Sequence, residues 1–274
     1  AAPAWPEAPR PVPADDLQAK ALVLAIEKHI GKGKNVAIAY RNEPYGDALS
    51  KGFTKNWEDE GGKVVAAGDN DPQQASFDSE AGQVVASNAD AYVVIDYPET
   101  YAKFGAALVR TGKFDAKKLF VPDAMAFAKV PDSIPGEAIN GAYGVAAGAP
   151  TGTESVALFN KLWDEAGGVP NTSLTANIFD ATILCFLSSV EAGSAEPGAI
   201  TGKVRSVTQE GAPQFTIANL GDAVKAASAG KPIDYVGVSG AFRFMENGDP
   251  SSSPYDVFQY QDGKQVTIEQ VQVQ

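Results

Sequence analysis

The chain has 274 residues, of which 44% are hydrophobic and 20% charged; this is the balance of a globular protein long enough for one large domain or two ordinary ones. A formal net charge of −12 repels phosphate backbones and argues against a nucleic-acid partner. No apolar run approaches the roughly 18 residues of a membrane span, and the chain does not open with the charged and apolar regions of a secretion signal.

In chain order, residues 1–12 carry Pro3, Pro6, Pro9 and Pro11, which exclude helix and interior strand, so they read as a lead-in. Asp15 or Asp16 can cap a helix with Leu17, Ala21, Leu24, Ala25 and Ile30 at helical spacing, closed by Gly31. Residues 35–40 form a continuous apolar strand. Leu49, Phe53 and Trp57 then recur every four residues until Gly61-Gly62 ends a helix. Strand 63–67, a helix through Phe77, Ala81 and Val84, strand 91–95 with Tyr92 in the core, a helix from Pro98 through Tyr101, Phe104 and Leu108, and strand 118–121 follow. Strands apolar throughout, alternating with amphipathic helices, predict a parallel sheet covered on both faces. Residues 13–147 are therefore expected to form one complete α/β lobe.

The Gly-rich run 141–152 suits a crossing between lobes. Beyond it the pattern predicts helices near 153–166, 175–192 and 219–229, then two alternating segments at 238–244 and 255–260, separated by Glu246-Asn-Gly-Asp-Pro250, a hairpin signal. This stretch, 148–274, contains no parallel strand set of its own. It reads as the C-terminal part of a second, incomplete lobe, helices plus a terminal hairpin.

Catalysis finds little support, and no catalytic residue, metal site or cofactor is expected. The single histidine, His29, sits at a helix end beside Lys28, where a solvated cation is the ordinary reading. A serine or cysteine hydrolase needs such a residue as its base, and nothing near it suggests one. Cys185 lies in an apolar stretch and reads as a buried thiol. Gly31-Lys-Gly33-Lys34 precedes a strand instead of following one, unlike a phosphate-binding loop, and Gly237-Val-Ser239-Gly240 lacks the spacing of a nucleophile elbow.

Binding finds more support. Ligands of open α/β sheets sit outside the carboxyl ends of the strands. Glu43-Pro-Tyr45-Gly46 follows the first strand, Asp96-Tyr97-Pro98-Glu99 the third and Pro122-Asp123-Ala124 the fourth. Tyrosines and aspartates at strand ends are ordinarily helix caps and packing rims, but two tyrosines and a carboxylate converging on one edge suit an ammonium, through charge and cation–π attraction. Phe179-Asp180 is a further candidate for approaching such a site; Phe179 and Trp163 otherwise read as helix packing.

Five segments carry a likeness: Pro13-Ala-Asp-Asp-Leu-Gln18, Glu43-Pro-Tyr-Gly-Asp-Ala-Leu49, Asp96-Tyr-Pro-Glu99, Phe179-Asp-Ala181 and Gly240-Ala-Phe-Arg-Phe-Met-Glu-Asn-Gly-Asp249. In this order they resemble segments of type I periplasmic solute-binding proteins of the leucine/isoleucine/valine-binding kind, the receptors of bacterial ABC importers. The resemblance implies two αβα lobes with parallel sheets, joined by three crossings, that close over an amino acid-like small molecule and dock on an ABC permease. It implies a secreted, periplasmic or extracellular protein, with a lipid anchor before processing left open. By motif, Tyr45, Tyr97 and Asp123 match ligand-lining positions, Asp123 standing where the family carries a glutamate. The first-lobe segment of the family has no counterpart here, so the resemblance implies a partner: that missing N-terminal fragment or a second copy of the chain. The alternative is a ligand-sensing domain of the same fold that signals to a protein partner.

Overall fold

A computed structural model of the chain describes residues 9–168 and 174–274. Its elements in chain order are α1 (Asp15–His29), β1 (Asn35–Arg41), α2 (Pro44–Asp59), β2 (Lys63–Asn70), α3 (Asp78–Ala86), β3 (Ala91–Ile95), α4 (Pro98–Arg110), β4 (Leu119–Val121), α5 (Gly136–Ile139) and β5 (Tyr143–Ala147). There follow α6 (Glu154–Glu165), α7 (Thr175–Ala192), α8 (Pro197–Thr201), β6 (Gln214–Phe215), α9 (Leu220–Ser228), β7 (Asp234–Gly237), β8 (Gly240–Ala241), β9 (Ser253–Gln261) and β10 (Lys264–Val273).

The chain divides into two compact units. The sheet unit comprises Asp15–Ala146 and Tyr255–Val273. The helical unit comprises Ala147–Pro254, the described residues before Asp15, and Gln274. The chain thus passes between units at Ala14–Asp15, Ala146–Ala147 and Pro254–Tyr255 before its last residue. Residues 1–8 of the expected lead-in lie outside the described residues. The next few are held within the helical unit: Arg10 N–H donates to the Gly248 carbonyl, and the Pro11 carbonyl accepts from Asn177 Nδ2 at 3.0 Å.

The sheet unit is built on a seven-stranded sheet in the order β10-β9-β5-β4-β3-β1-β2. From β2 to β5 every pairing is parallel. Alternation along each apolar strand feeds two cores. Ala37, Ala39, Tyr92, Val94, Leu119 and Val121 face a cluster with Phe77, Phe104 and Leu108 of the α3–α4 side. Their neighbours Val36, Ile38, Val93 and Ile95 are fully buried as well, so both faces are covered. Phe53 and Trp57 of α2 are at most 1% exposed, and burying each such side chain contributes about 1.5–3 kcal/mol.

Two segments differ from expectation. The Gly-rich crossing contains a strand, β5, because Gly144 lets the Phe258 ring lie against the backbone: a Cβ on Gly144 would stand 2.9 Å from one ring carbon and closer to two others. Glycine in a strand often marks such an approach. The terminal hairpin is β9–β10, and it extends this sheet instead of completing the other lobe. Its turn is Asp262-Gly263, both at positive φ (50° and 73°), the backbone of a two-residue type I′ connection and hence of an antiparallel pair. The Asn247-Gly248 turn lies earlier, in the helical unit.

In the helical unit α6, α7 and α9 match the expected helices closely. The unit also has a small sheet, β6-β7-β8, with β6 and β7 parallel and β7 and β8 antiparallel; β6 and β7 were not expected, and of the alternating segment expected at 238–244 only Gly240–Ala241 is strand. Leu184 and Leu187 of α7 pack on Tyr235, Ile233 and Phe242 around it. Cys185 is exposed on the opposite side of α7, contrary to the buried thiol expected. Ile178 and Phe186 share that outward side, 62% and 47% exposed.

Candidate functional site

Because β4, β3 and β1 are adjacent and parallel, their carboxyl ends open side by side at one rim. Each following segment presents one predicted residue. Tyr45 lies in the first turn of α2, Tyr97 caps the start of α4 in an extended conformation, and Asp123 opens a 3-10 turn after Pro122. The structure brings the three together. The Tyr45 hydroxyl donates to Asp123 Oδ1 at 3.3 Å, and the Tyr45 and Tyr97 rings stack with centroids 5.6 Å apart and planes 25° from parallel. Burial above all, then the carboxylates of Asp123 and Asp15, pushes the Tyr45 phenol well above its ordinary range, so it remains a donor. Close approach of α2 to the end of β1 makes this geometry possible. A Cβ on Gly46 would stand 3.0 Å from the Arg41 nitrogen and nearer still to its carbonyl oxygen.

Arg41, the last residue of β1, lies one position beyond the apolar strand expected at 35–40 and was not among the expected site residues. Its guanidinium lies under the rim, 7% exposed, with Cζ 4.7 Å from the centre of the Tyr97 ring. It pairs with Glu43 at 2.9 Å, Asp96 at 3.2 Å and Glu99 at 3.5 Å, and donates to Thr100 Oγ1 at 2.6 Å. A charge closing an apolar strand was the available signal. The Tyr97 ring already serves this internal cation, which leaves Tyr45 and Asp123 as the groups most suited to an ammonium.

Asp96 is 1% exposed. Its Oδ1 accepts from Arg41 and from the Tyr97 backbone N–H at 2.8 Å, while Oδ2 is buried with no protein partner. Burial therefore pushes the carboxyl up to about 6, against the opposing pull of those two donors. A carboxyl raised from 3.8 stabilises the fold fully below about 3.8 and loses that contribution as pH rises through about 6. Asn cannot titrate, so the stability of the native protein relative to Asp96→Asn is expected to fall by on the order of 3 kcal/mol between pH 4 and 7. Urea unfolding of both proteins across that range checks it; a pH-independent difference contradicts it.

Two residues lie elsewhere than expected. His29 is not a solvated cation: its ring stacks on Tyr143 with centroids 4.4 Å apart, and Nε2 is 2.9 Å from Glu269 Oε1 on β10. Burial, then the charge of Lys28, lowers its pKa. Asp180 is fully buried in the helical unit, where it accepts from the Tyr235 hydroxyl, the Val238 and Ser239 N–H groups and the Ser239 hydroxyl. Phe179 packs on Phe159 at 5.2 Å. Among the described residues no group of three or more His, Cys, Asp or Glu side chains is placed to hold a metal ion.

A mostly parallel sheet covered on both faces is the architecture of a type I periplasmic binding protein, and solved structures share this fold. The leucine binding protein LivK from Thermotoga maritima superposes with a TM-score of 0.74 at 19% identity, over 96% of this chain and 67% of that one. LivJ from Streptococcus pneumoniae in complex with isoleucine gives 0.70 at 15% identity, over 94% and 65%. An ABC transporter solute-binding protein from R. palustris in complex with benzoate gives 0.67 at 16% identity, over 96% and 64%. The sequence profile of the periplasmic binding proteins matches residues 10–265, and the chain belongs to that family, a family of solute-binding proteins. A curated relative, the chemotactic signal transduction system substrate-binding protein BasB of Halobacterium salinarum, is 25% identical over 235 residues, 84% of this chain. The chain spans about half, 53%, of that relative's length. No helix among the described residues is long and apolar enough to cross a membrane.

Proposed function

We propose that this chain is the ligand-binding receptor of an ABC importer, working in the periplasm or outside the cell on a small amine-bearing molecule such as an amino acid. Tyr45, Tyr97 and Asp123 form the ligand-facing part of the sheet unit. The observation that carries this reading is the Tyr45 hydroxyl bound to Asp123 beside the stacked Tyr97 ring. A carboxylate oriented by a phenol, beside aromatic surface, fits a primary ammonium. A thermal-shift screen of amino acids, their amides, simple amines and organic acids tests it. Amine-bearing compounds are expected to raise the melting temperature; stabilisation by organic acids alone would refute it.

A sensing role is the second reading, favoured by one observation, the likeness to a chemotaxis substrate-binding protein. Copurification of the ligand-loaded chain with a signal transducer instead of a permease would select it. We also propose that further polypeptide, an N-terminal lobe segment or a second copy, covers the outward side of α7, where Ile178 and Phe186 are exposed. Light scattering of the isolated chain is expected to report a mass above 28.6 kDa; a stable monomer contradicts this.

A further inference from the structure

We propose that the helical unit carries a second small-molecule site, independent of the rim, that takes a monocarboxylate with an apolar body. It is a cavity of about 290 Å³ between the segment after α8 and the segment after β8, a volume at the small end of ligand pockets. Its anchor is Arg205. The guanidinium donates from Nη1 to the Phe244 carbonyl at 2.9 Å and from Nη2 to the carbonyls of Met245 and Glu246. These contacts fix the fork in place while using three of its five N–H groups, so Nε–H and one Nη1–H remain to meet a carboxylate. Among the described residues no carboxylate pairs with Arg205, whose charge is met by carbonyl dipoles alone.

Arg243, which lines the same cavity, is differently placed. Its two Nη atoms grip the buried Asp234 carboxylate at 2.9 Å each, and its charge is neutralised there. Arg205 is therefore the anion's partner and Arg243 a wall. The apolar side is Phe244, stacked on Phe242 with centroids 5.8 Å apart, and Met245, which is 40% exposed. Glu210, 81% exposed and 3.7 Å from Arg243 Nε, stands at the mouth. So long and exposed an ion pair holds the carboxylate weakly. Glu210 therefore opposes an anionic ligand without filling the site.

The test is a titration of the 274-residue chain with phenylacetate, followed by amide chemical shifts and by affinity. Saturable shifts are expected at residues 205–210 and 242–251; benzylamine, with the same ring and the opposite charge, is expected to leave them unmoved. Arg205→Gln is expected to weaken phenylacetate at least tenfold, and Met245→Glu, at an exposed position, to do likewise. Glu210→Gln is expected to tighten it about two- to fivefold, the scale of one exposed charge, a gain that misfolding cannot mimic. Shifts confined to Tyr45, Tyr97 and Asp123, or affinity unchanged in both Glu210→Gln and Met245→Glu, would overturn the proposal.

Discussion

Asp123→Asn is expected to weaken an amine-bearing ligand by about 10- to 100-fold, or about 1.4–2.8 kcal/mol. Two unit charges 4 Å apart interact by about 4 kcal/mol at an effective dielectric of 20, and a half-exposed rim retains only part of that. The substitution is nearly isosteric and keeps an acceptor for the Tyr45 hydroxyl at 3.3 Å, so it removes the charge and little else. Stability should change little. Tyr45→Phe, which removes only the donor that orients the carboxylate, is expected to cost less, about three- to tenfold, the scale of one hydrogen bond. Calorimetric titration of the three proteins with the best ligand of the screen checks the order. Equal affinities in native protein and Asp123→Asn would remove Asp123 from the site.

Asp180→Ala is expected to produce a large loss of stability, about 3–5 kcal/mol, the scale of breaking a buried hydrogen-bond network and orphaning its donors. Asp180 is 0% exposed and joins α7 to the β7–β8 turn through four donors, two of them backbone N–H groups. Alanine leaves those donors buried without an acceptor, which is worse than never having formed the network. Burial raises the Asp180 carboxyl while the four donors hold it down; the network is what allows an anion there. Asn is a poor substitute, since its NH2 would face N–H groups across at least one contact. Denaturant unfolding measures the loss. A variant of native stability that has lost ligand would instead restore Asp180 to the binding role its sequence neighbourhood suggested.

That contrast marks how far the sequence could be read. Strand and helix positions from Asp15 to Val121 were legible because continuous apolar runs and four-residue spacings are local signals. Asp180 was legible as polar within an apolar helix, but its partners lie 55 to 59 residues away, so its role was not. The terminal hairpin was missed for the same reason. Asn247-Gly248 and Asp262-Gly263 are equally good turn dipeptides, and only pairing with β5 distinguishes the strands that follow. Strand β5 looked like a linker because Gly144, which admits the Phe258 ring, also reads as a break. The adjacency of Tyr45, Tyr97 and Asp123 was legible from strand ends alone, since parallel neighbours place those ends together. Arg41 was visible only as a charge closing an apolar strand; its role was not, because its three carboxylate partners come from the segments after two different strands. His29 lost its expected exposure to β10, a strand too polar to announce itself.

The carboxyl-end rim of the sheet unit is proposed to recognise an ammonium group. The most direct test is a structure of the chain with the tightest amine-bearing ligand from the screen. A ligand nitrogen within hydrogen-bonding distance of Asp123, with Tyr45 still donating to that carboxylate and Tyr97 beside it, is the predicted result. A ligand seated away from all three residues, or one presenting its carboxylate to Asp123, would contradict the account.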